Sequence, residues 1–119
     1  MKPVNIGILG LGTVGRGTAA VLQDNAAKIS RRLGRDVVIT AVCTRSAEKA
    51  KTICPHAALE QDPFALVQRE DVDVVVELYG GTDVAKDAVL KALEHGKHIV
   101  TANKKLLAEY GNEIFRLAE

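Results

Sequence analysis

The feature that most constrains the fold of this chain is an apolar run that leads directly into three closely spaced glycines near the amino terminus. Val4–Leu9 predicts a buried strand, and Gly10, Gly12 and Gly15 follow in the pattern Gly-x-Gly-x-x-Gly. The residues after them have the apolar spacing of a helix. The glycine pattern alone is a weak signal, but strand, glycines and helix in this order are typical of a site that holds a pyrophosphate.

Each of the three glycines has its own mechanical role in such a turn. Gly10 makes the tight turn out of the strand, Gly12 lets a phosphate approach the backbone, and Gly15 lets the helix pack closely on the strand. The helix N-terminus adds unpaired N–H groups and a partial positive charge. The alternative is a glycine-rich turn that serves packing alone.

The composition favours one α/β domain. The chain has 119 residues, of which 47% are hydrophobic and only 3% aromatic, so its core is aliphatic. An aliphatic core suits a buried parallel sheet covered by helices. We therefore expect a Rossmann-like, doubly wound parallel sheet in three α/β/α layers. The 16 basic and 15 acidic residues nearly cancel, which argues against nucleic-acid and membrane-surface partners.

Cysteine content and hydropathy bear on the compartment. Cys43 and Cys54 are too few for a disulfide framework, and we interpret them as ordinary thiols of a reducing compartment. The sequence shows neither a signal-peptide pattern nor an apolar run long enough to cross a membrane. A cytoplasmic location is the expectation.

Strand and helix patterns alternate along the whole chain. The helix after the first strand is predicted to run unbroken from Thr13 to about Arg32 and to stop near Gly34. Ser46 and Asp62 are predicted N-caps of two short helices, and Gly96 ends a later one. The predicted strands are 4–9, 36–43, 57–60, 71–78 and 98–101, and the remaining helices are 46–52, 63–69, 84–94, 104–110 and 113–118.

Ligands of parallel sheets bind beyond the carboxyl ends of the strands, so the residues there decide the chemistry. The second predicted strand ends in Thr44-Arg45-Ser46, without the carboxylate that would bind an unphosphorylated ribose. Arg45 is suited to pair with a 2′-phosphate. The sequence therefore favours NADP, with NAD possible. The alternative is that Arg45 is a solvated charge.

Two further strand ends carry candidate residues. Gly80 and Gly81 follow the fourth predicted strand, where their backbone could lie against a cofactor, or could form a simple loop. Asn103 and Lys104 follow the last strand, where an ammonium could stabilise a developing alkoxide or hold a carboxylate. The alternative for Lys104 is a solvated lysine. The histidines have no metal-ligand spacing, so no metal site is predicted.

Four motifs together resemble the NAD(P)-binding domain of homoserine dehydrogenase: residues 10–15 (GLGTVG), 75–81 (VVELYGG), 100–104 (VTANK) and 106–108 (LLA). The resemblance covers essentially the whole chain. It implies an oxidoreductase of threonine and methionine biosynthesis that interconverts homoserine and aspartate 4-semialdehyde with NAD(P).

The resemblance also implies roles for individual residues. The residues that it places at the pyrophosphate are Thr13 and Val14. Arg45 would lie near the adenosine ribose. The residues that it places on the nicotinamide side are Gly80, Gly81, Thr101 and Asn103. Lys104 matches the family's lysine near the reacting centre, with Lys105 as the alternative.

Homoserine dehydrogenases continue beyond this region into a substrate-binding and dimerisation domain. We therefore expect residues 1–119 to form an NAD(P)-binding domain that is inactive alone, and the intact enzyme to be a homo-oligomer. Two rival interpretations remain. One is another two-domain NAD(P) oxidoreductase, although a sugar dehydrogenase family of similar layout has Glu-Lys-Pro where this chain has Asn103-Lys104-Lys105. The other is a nucleotide-sensing module without catalysis.

Overall fold

Five parallel strands in the order β3-β2-β1-β4-β5 form the centre of the fold. The computed structural model describes residues 2–79, 83–101, 111, 112 and 114, and of residue 83 only the backbone. The elements within them are β1 (Val4–Leu9), α1 (Thr13–Asp24), α2 (Ala26–Leu33), β2 (Val37–Cys43), α3 (Ala47–Ile53), β3 (Ala58–Glu60), α4 (Pro63–Val67), β4 (Val74–Glu77), α5 (Asp83–Glu94) and β5 (His98–Thr101).

Helices cover both faces of this sheet, as the composition predicts. One apolar cluster joins the sheet to α4 and α5 and contains Leu9, Cys43, Leu66, Val75 and Ala88. The other joins the opposite face to α1 and α3 and contains Ile8, Leu11, Ala19, Val42 and Ala50. The three-layer α/β/α architecture is therefore confirmed.

The glycine turn has the geometry that its sequence predicts. Gly10 has φ +99°, a conformation that side chains other than hydrogen disfavour. A Cβ placed on Gly15 would lie 2.1 Å from the carbonyl oxygen of Gly10. The predicted roles of Gly10 in the turn and of Gly15 in close packing are both confirmed.

Local signals placed most element ends correctly. The Ser46 hydroxyl accepts a hydrogen bond from Lys49 N (3.2 Å), and a carboxylate oxygen of Asp62 accepts one from Phe64 N (2.9 Å). Gly34 and Gly96 follow their helices with φ +70° and +74°. β1 and β5 have the predicted bounds.

The prediction of one unbroken helix from Thr13 to Arg32 is wrong. The chain leaves helical geometry at Asn25 (φ −110°, ψ 17°), between α1 and α2. The Asn25 side-chain amide donates to the carbonyl of Val21 (3.0 Å), and its own carbonyl accepts from Ile29 N (3.0 Å). Asparagine side chains compete with the helical backbone in this way, so Asn25 ends one helix and starts the next.

β4 is shorter than its sequence pattern predicts. Val72 N donates to Arg69 O in a turn (3.3 Å), and regular pairing begins only at Val74. The predicted helices at 104–110 and 113–118 lie outside the described residues except for Ile114, which is helical and packs against Ala85 and Val89.

A one-residue offset between β1 and β2 sets what lies beside the glycine turn. Val4 to Ile6 pair with Val37 to Ile39, but the register then shifts, so that Leu9 pairs with Cys43. Gly10 N donates to Cys43 O (3.0 Å), and Leu78 N donates to Leu9 O (3.0 Å). The end of β1 is thereby bonded to the ends of both neighbouring strands.

We expect Gly15→Ala to lower the free energy of unfolding by about 2–3 kcal/mol, because its methyl group would overlap the Gly10 carbonyl. Gly17→Ala is the matched control in the same helix. A Cβ on Gly17 meets no atom within 4 Å, so that variant should gain up to about 1 kcal/mol from helix propensity. Urea unfolding followed by circular dichroism measures both. Equal unfolding midpoints for Gly15→Ala and the wild type would contradict the close contact.

Candidate cofactor site

An open cavity of about 670 Å³ lies at the carboxyl edge of the sheet, where the sequence predicts the site. Its size is within the range typical of small-molecule sites. The glycine turn, the ends of β2 and β4, and the starts of α4 and α5 contribute its walls. The lining residues are Gly10, Leu11, Gly12, Cys43, Thr44, Arg45, Lys49, Gln61, Pro63, Phe64, Tyr79, Val84 and Ala85.

The glycine end of this cavity fits a phosphate group. A Cβ on Gly12 would meet no atom within 4 Å, so the backbone there is open to a ligand. Gly12 is the N-cap of α1 without a side-chain hydrogen bond, and the first turn of α1 has no acidic residue. The N–H groups at this helix start and the dipole of α1 therefore favour an anion beside Gly12.

A pair of basic side chains lies at the β2 side of the cavity. Arg45 directly follows β2, and Lys49 is in the first turn of α3. Thr44 and Ser46 shape the connection: the Thr44 hydroxyl accepts from Ser46 N (3.2 Å), and Ser46 caps α3. Both cations are exposed and line the cavity. This side therefore presents positive charge to a ligand.

The acidic residues at the neighbouring strand end are engaged by other groups. A Glu60 carboxylate oxygen forms an ion pair with Arg69 at 2.9 Å, and Arg69 also pairs with Asp71 at 2.8 Å. Asp62 accepts the hydrogen bond that caps α4. Because these carboxylates already have partners, they compete less with an anionic ligand for binding to Arg45.

Tyr79 and Phe64 both line the cavity. The Tyr79 hydroxyl lies 3.3 Å from Cys43 Sγ, which is hydrogen-bonding distance for sulfur. Burial raises the pKa of the Cys43 thiol, although the hydrogen bond with Tyr79 lowers it. Burial and the contact with Cys43 also raise the pKa of Tyr79. Both groups are therefore neutral at pH 7.

Glu77 is the only buried charged side chain in the part of the chain that the structure describes. One of its carboxylate oxygens accepts from Tyr79 N at 2.7 Å, and the other accepts from the Thr101 hydroxyl at 2.6 Å. Glu77 and Thr101 are also register partners in the β4–β5 pair. The carboxylate thus joins the ends of β4 and β5.

The structure brings three of the predicted cofactor residues together in this cavity: Gly10, Gly12 and Arg45. Thr13, Val14 and Gly15 form the adjoining first turn of α1, although the Val14 side chain faces a separate groove along that helix. Thr101 ends β5 and donates to Glu77. The predicted residues outside the described part are Gly80, Gly81, Asn103 and Lys104, together with the alternative Lys105.

Sequence reasoning missed several residues of the site. Lys49 could have been found, because it lies three residues after the predicted N-cap Ser46 and therefore in the first helical turn next to Arg45. Tyr79 and Phe64 carried no signal, because their place in one cavity depends on the strand order. Cys43 was correctly placed in a strand, but its contact with Tyr79 was not foreseen.

The described residues form neither a metal site nor a membrane-spanning helix. Among the side chains that the structure describes, no group of three or more from His, Cys, Asp or Glu is arranged to hold a metal ion. None of the helices described in the structure is long and apolar enough to span a membrane.

The parallel sheet, the glycine turn and the cavity beyond the strand ends define a dinucleotide-binding α/β domain. A comparison with protein families agrees, because the NAD-binding domain of homoserine dehydrogenase matches residues 10–119. The chain belongs to this family.

The individual relatives that this chain resembles are homoserine dehydrogenases. Homoserine dehydrogenase of Neisseria gonorrhoeae is 75% identical over 119 residues, which are 100% of this chain and 27% of that protein. The crystal structure of a homoserine dehydrogenase from Thiobacillus denitrificans has a TM-score of 0.91 and 47% identity over 99% of this chain and 27% of that one. A hyperthermophilic archaeal homoserine dehydrogenase in complex with NADPH is more distant, with a TM-score of 0.77, 28% identity and coverage of 99% and 41%. The chain thus spans about a quarter of the curated relative's length.

The raised pKa values at the cavity predict a loss of stability at alkaline pH. Tyr79 holds its proton more tightly in the folded protein than in the unfolded chain, where it has the ordinary tyrosine pKa of 10.0. Unfolding is therefore favoured as the pH rises above 10, by at most about 1.4 kcal/mol per pH unit for this group. Cys43 acts in the same direction from its ordinary pKa of 9.0.

The Tyr79→Phe variant should lose stability less steeply than the wild type above pH 10, because it lacks the titrating hydroxyl. Urea unfolding between pH 8 and 11 measures the difference, in which the titrating groups that do not contact Tyr79 cancel. Parallel curves for the two proteins above pH 10 would contradict a raised pKa of Tyr79.

Proposed function

We propose that this chain is the cofactor-binding part of a homoserine dehydrogenase, which interconverts homoserine and aspartate 4-semialdehyde with NADP(H) and can also use NAD(H). The observation that carries the proposal is the open backbone of Gly12 at the N-terminus of α1, in the same cavity as Arg45. Membership of the homoserine dehydrogenase family supports the substrate.

The strand order supports one direction for the bound dinucleotide. The pyrophosphate would lie over Gly12, next to the backbone N–H groups of Thr13 and Val14. β2 lies on one side of β1, and β4 and β5 lie on the other. The adenosine would therefore extend toward Arg45, and the nicotinamide toward Thr101 and the residues that follow β4 and β5, which include Gly80, Gly81 and Asn103.

The charges at the end of β2 support a preference for NADP. Arg45 and Lys49 line the cavity there, and the connection 44–46 contains no carboxylate to repel a 2′-phosphate. The NADPH complex of the archaeal relative is consistent with this choice. A guanidinium can bind a phosphate through two N–H groups, so we assign the larger share of the preference to Arg45.

Titration of the 119-residue chain with NADPH and NADH tests this preference, with the fluorescence of the reduced nicotinamide as the signal. We expect NADPH to bind more tightly, and Arg45→Ala to weaken NADPH about tenfold while NADH changes little. Lys49→Ala should have a smaller effect of the same kind.

The matched control is Lys51→Ala, which removes a lysine from the last turn of the same helix outside the cavity. It should leave both affinities within about twofold, because an exposed charge outside the site contributes little. Equal losses of NADPH and NADH affinity in Arg45→Ala would contradict a role in 2′-phosphate recognition.

The bound dinucleotide would supply the hydride acceptor for oxidation of the alcohol and the hydride donor for the reverse reaction. Lys104 follows β5 closely in sequence, and we propose that its ammonium stabilises the substrate oxygen as negative charge develops on it. Asn103 would help to orient the nicotinamide side of the cofactor. Glu77 has no access to a substrate, so we assign it no proton transfer.

The role of Lys104 can be tested in a chimera. In this chimera, the chain replaces the matching 119 residues of the Neisseria gonorrhoeae enzyme. We expect Lys104→Ala to lower kcat for homoserine oxidation at least about a hundredfold, as loss of one oxyanion-stabilising group does, while the Kd of NADPH changes little. Lys105→Ala should retain most activity. A larger loss in Lys105→Ala would transfer the role to Lys105.

The same chimera separates the enzyme from the rival interpretation of a nucleotide sensor. A sensor would bind NADPH and give no turnover in any variant. The 119 residues alone should bind the dinucleotide without oxidising homoserine, and measurable oxidation by them would contradict this part of the proposal. The two free, buried thiols of Cys43 and Cys54 support a reducing, cytoplasmic compartment.

A further inference from the structure

The carboxylate of Glu77 needs an explanation that the proposed chemistry does not supply. Its side chain is fully buried, and burial of a charge is costly unless hydrogen bonds compensate. Both carboxylate oxygens have such a bond: one from the Tyr79 backbone N–H at 2.7 Å and one from the Thr101 hydroxyl at 2.6 Å. An apolar residue would fill the space at lower cost, so the two bonds are what the carboxylate adds.

These two bonds begin a line of contacts that crosses the carboxyl edge of the sheet. Thr101 ends β5, Glu77 ends β4, and Tyr79 follows β4. The Tyr79 hydroxyl in turn reaches Cys43 at the end of β2 (3.3 Å). The contacts therefore link three strand ends, and they pass the end of β1 on the way.

The Tyr79 ring also lies beside the glycine turn. A Cβ on Gly10 would lie 3.4 Å from Tyr79 Cδ1 and 3.4 Å from the carbonyl oxygen of Leu78. The ring is a wall of the cavity, and its backbone N–H is held by Glu77. The position of the Tyr79 ring relative to the glycine end of the cavity thus depends on the Glu77 carboxylate.

We propose that Glu77 is a positioning residue of the cofactor site, whose carboxylate holds the Tyr79 backbone against β5 and thereby keeps the Tyr79 ring in the cavity wall. The consequence for binding rests on the proposed function, with a nicotinamide dinucleotide as the ligand. Glu77 does not touch that ligand, because it is buried and both oxygens are engaged.

The composition of the chain allows a direct test of the Tyr79 position. The sequence has no tryptophan and two tyrosines, Tyr79 and Tyr110. In a Tyr110→Phe background of the 119-residue chain, the near-ultraviolet circular dichroism of tyrosine reports on Tyr79 alone. Glu77→Gln keeps the shape of the side chain but removes the charge.

We expect Glu77→Gln to lose at least half of the Tyr79 signal and to raise the Kd of NADPH about tenfold, because the cavity wall is then no longer pre-organised for the ligand. The far-ultraviolet spectrum should stay unchanged. The control Asp71→Asn removes a carboxylate that pairs with Arg69 away from the cavity, and both readouts should stay at their wild-type values.

Two variants of Thr101 separate positioning from general stability. Thr101→Val keeps the shape but cannot donate to Glu77, whereas Thr101→Ser keeps the hydroxyl. We expect Thr101→Val to reproduce part of the loss of the Tyr79 signal, and Thr101→Ser to recover it. If Glu77→Gln fails to fold, this pair decides the question: recovery by serine supports the proposal, and equal signals in both variants overturn it.

Failure of this inference is distinguishable from failure of the proposed function. If the unmodified chain does not bind NADPH, the proposed function is wrong, and the Tyr79 signal still shows whether Glu77 holds the ring. If the unmodified chain binds NADPH and Glu77→Gln has the same Kd and the same Tyr79 signal with only a lower Tm, Glu77 is merely structural. That result overturns the positioning role.

Discussion

The contact between the Gly10 carbonyl and the first turn of α1 is the constraint on which the rest of the structure depends. There is no room for a side chain at Gly15, since its Cβ would lie 2.1 Å from that oxygen. The helix therefore starts directly at the end of β1, with its N–H groups facing the edge of the sheet where the neighbouring strands also end. The position of the α1 N-terminus at the cavity, where the helix dipole favours an anion, is a consequence of this backbone contact.

The strand order turns this local contact into an extended site. β1 is central, with β2 and β3 on one side and β4 and β5 on the other, so the chain reverses direction across the sheet at β1. Such a reversal separates the loops on either side and leaves a crevice between them. Arg45 and Lys49 line the cavity on the β2 side of β1. On the other side, the Glu77–Thr101 pair joins the ends of β4 and β5.

Much of the fold was predictable because its signals are local. The cap residues Ser46 and Asp62 bond to backbone groups two or three residues away, and Gly34 adopts the left-handed conformation that ends a helix. The break at Asn25 was missed, because asparagine is tolerated within helices and only its bond to the Val21 carbonyl identifies it as a cap here. At the site, the glycine turn and Arg45 were predictable from motifs. The wall formed by Phe64 and Tyr79 was not, since nothing local relates the two residues.

By itself the sequence determined the order of the strands along the chain, the glycine turn with the helix that starts beside it, and the family to which the chain belongs. These depend on backbone preferences and on side chains within a few positions of one another. Only the tertiary structure decided that Leu9 pairs with Cys43 rather than Val42, that Tyr79 reaches Cys43 across 36 positions, and that Glu77 binds Thr101 across 24. The physical reason is that such contacts follow from strand order and register, which are settled by packing of the whole sheet and not by any local pattern.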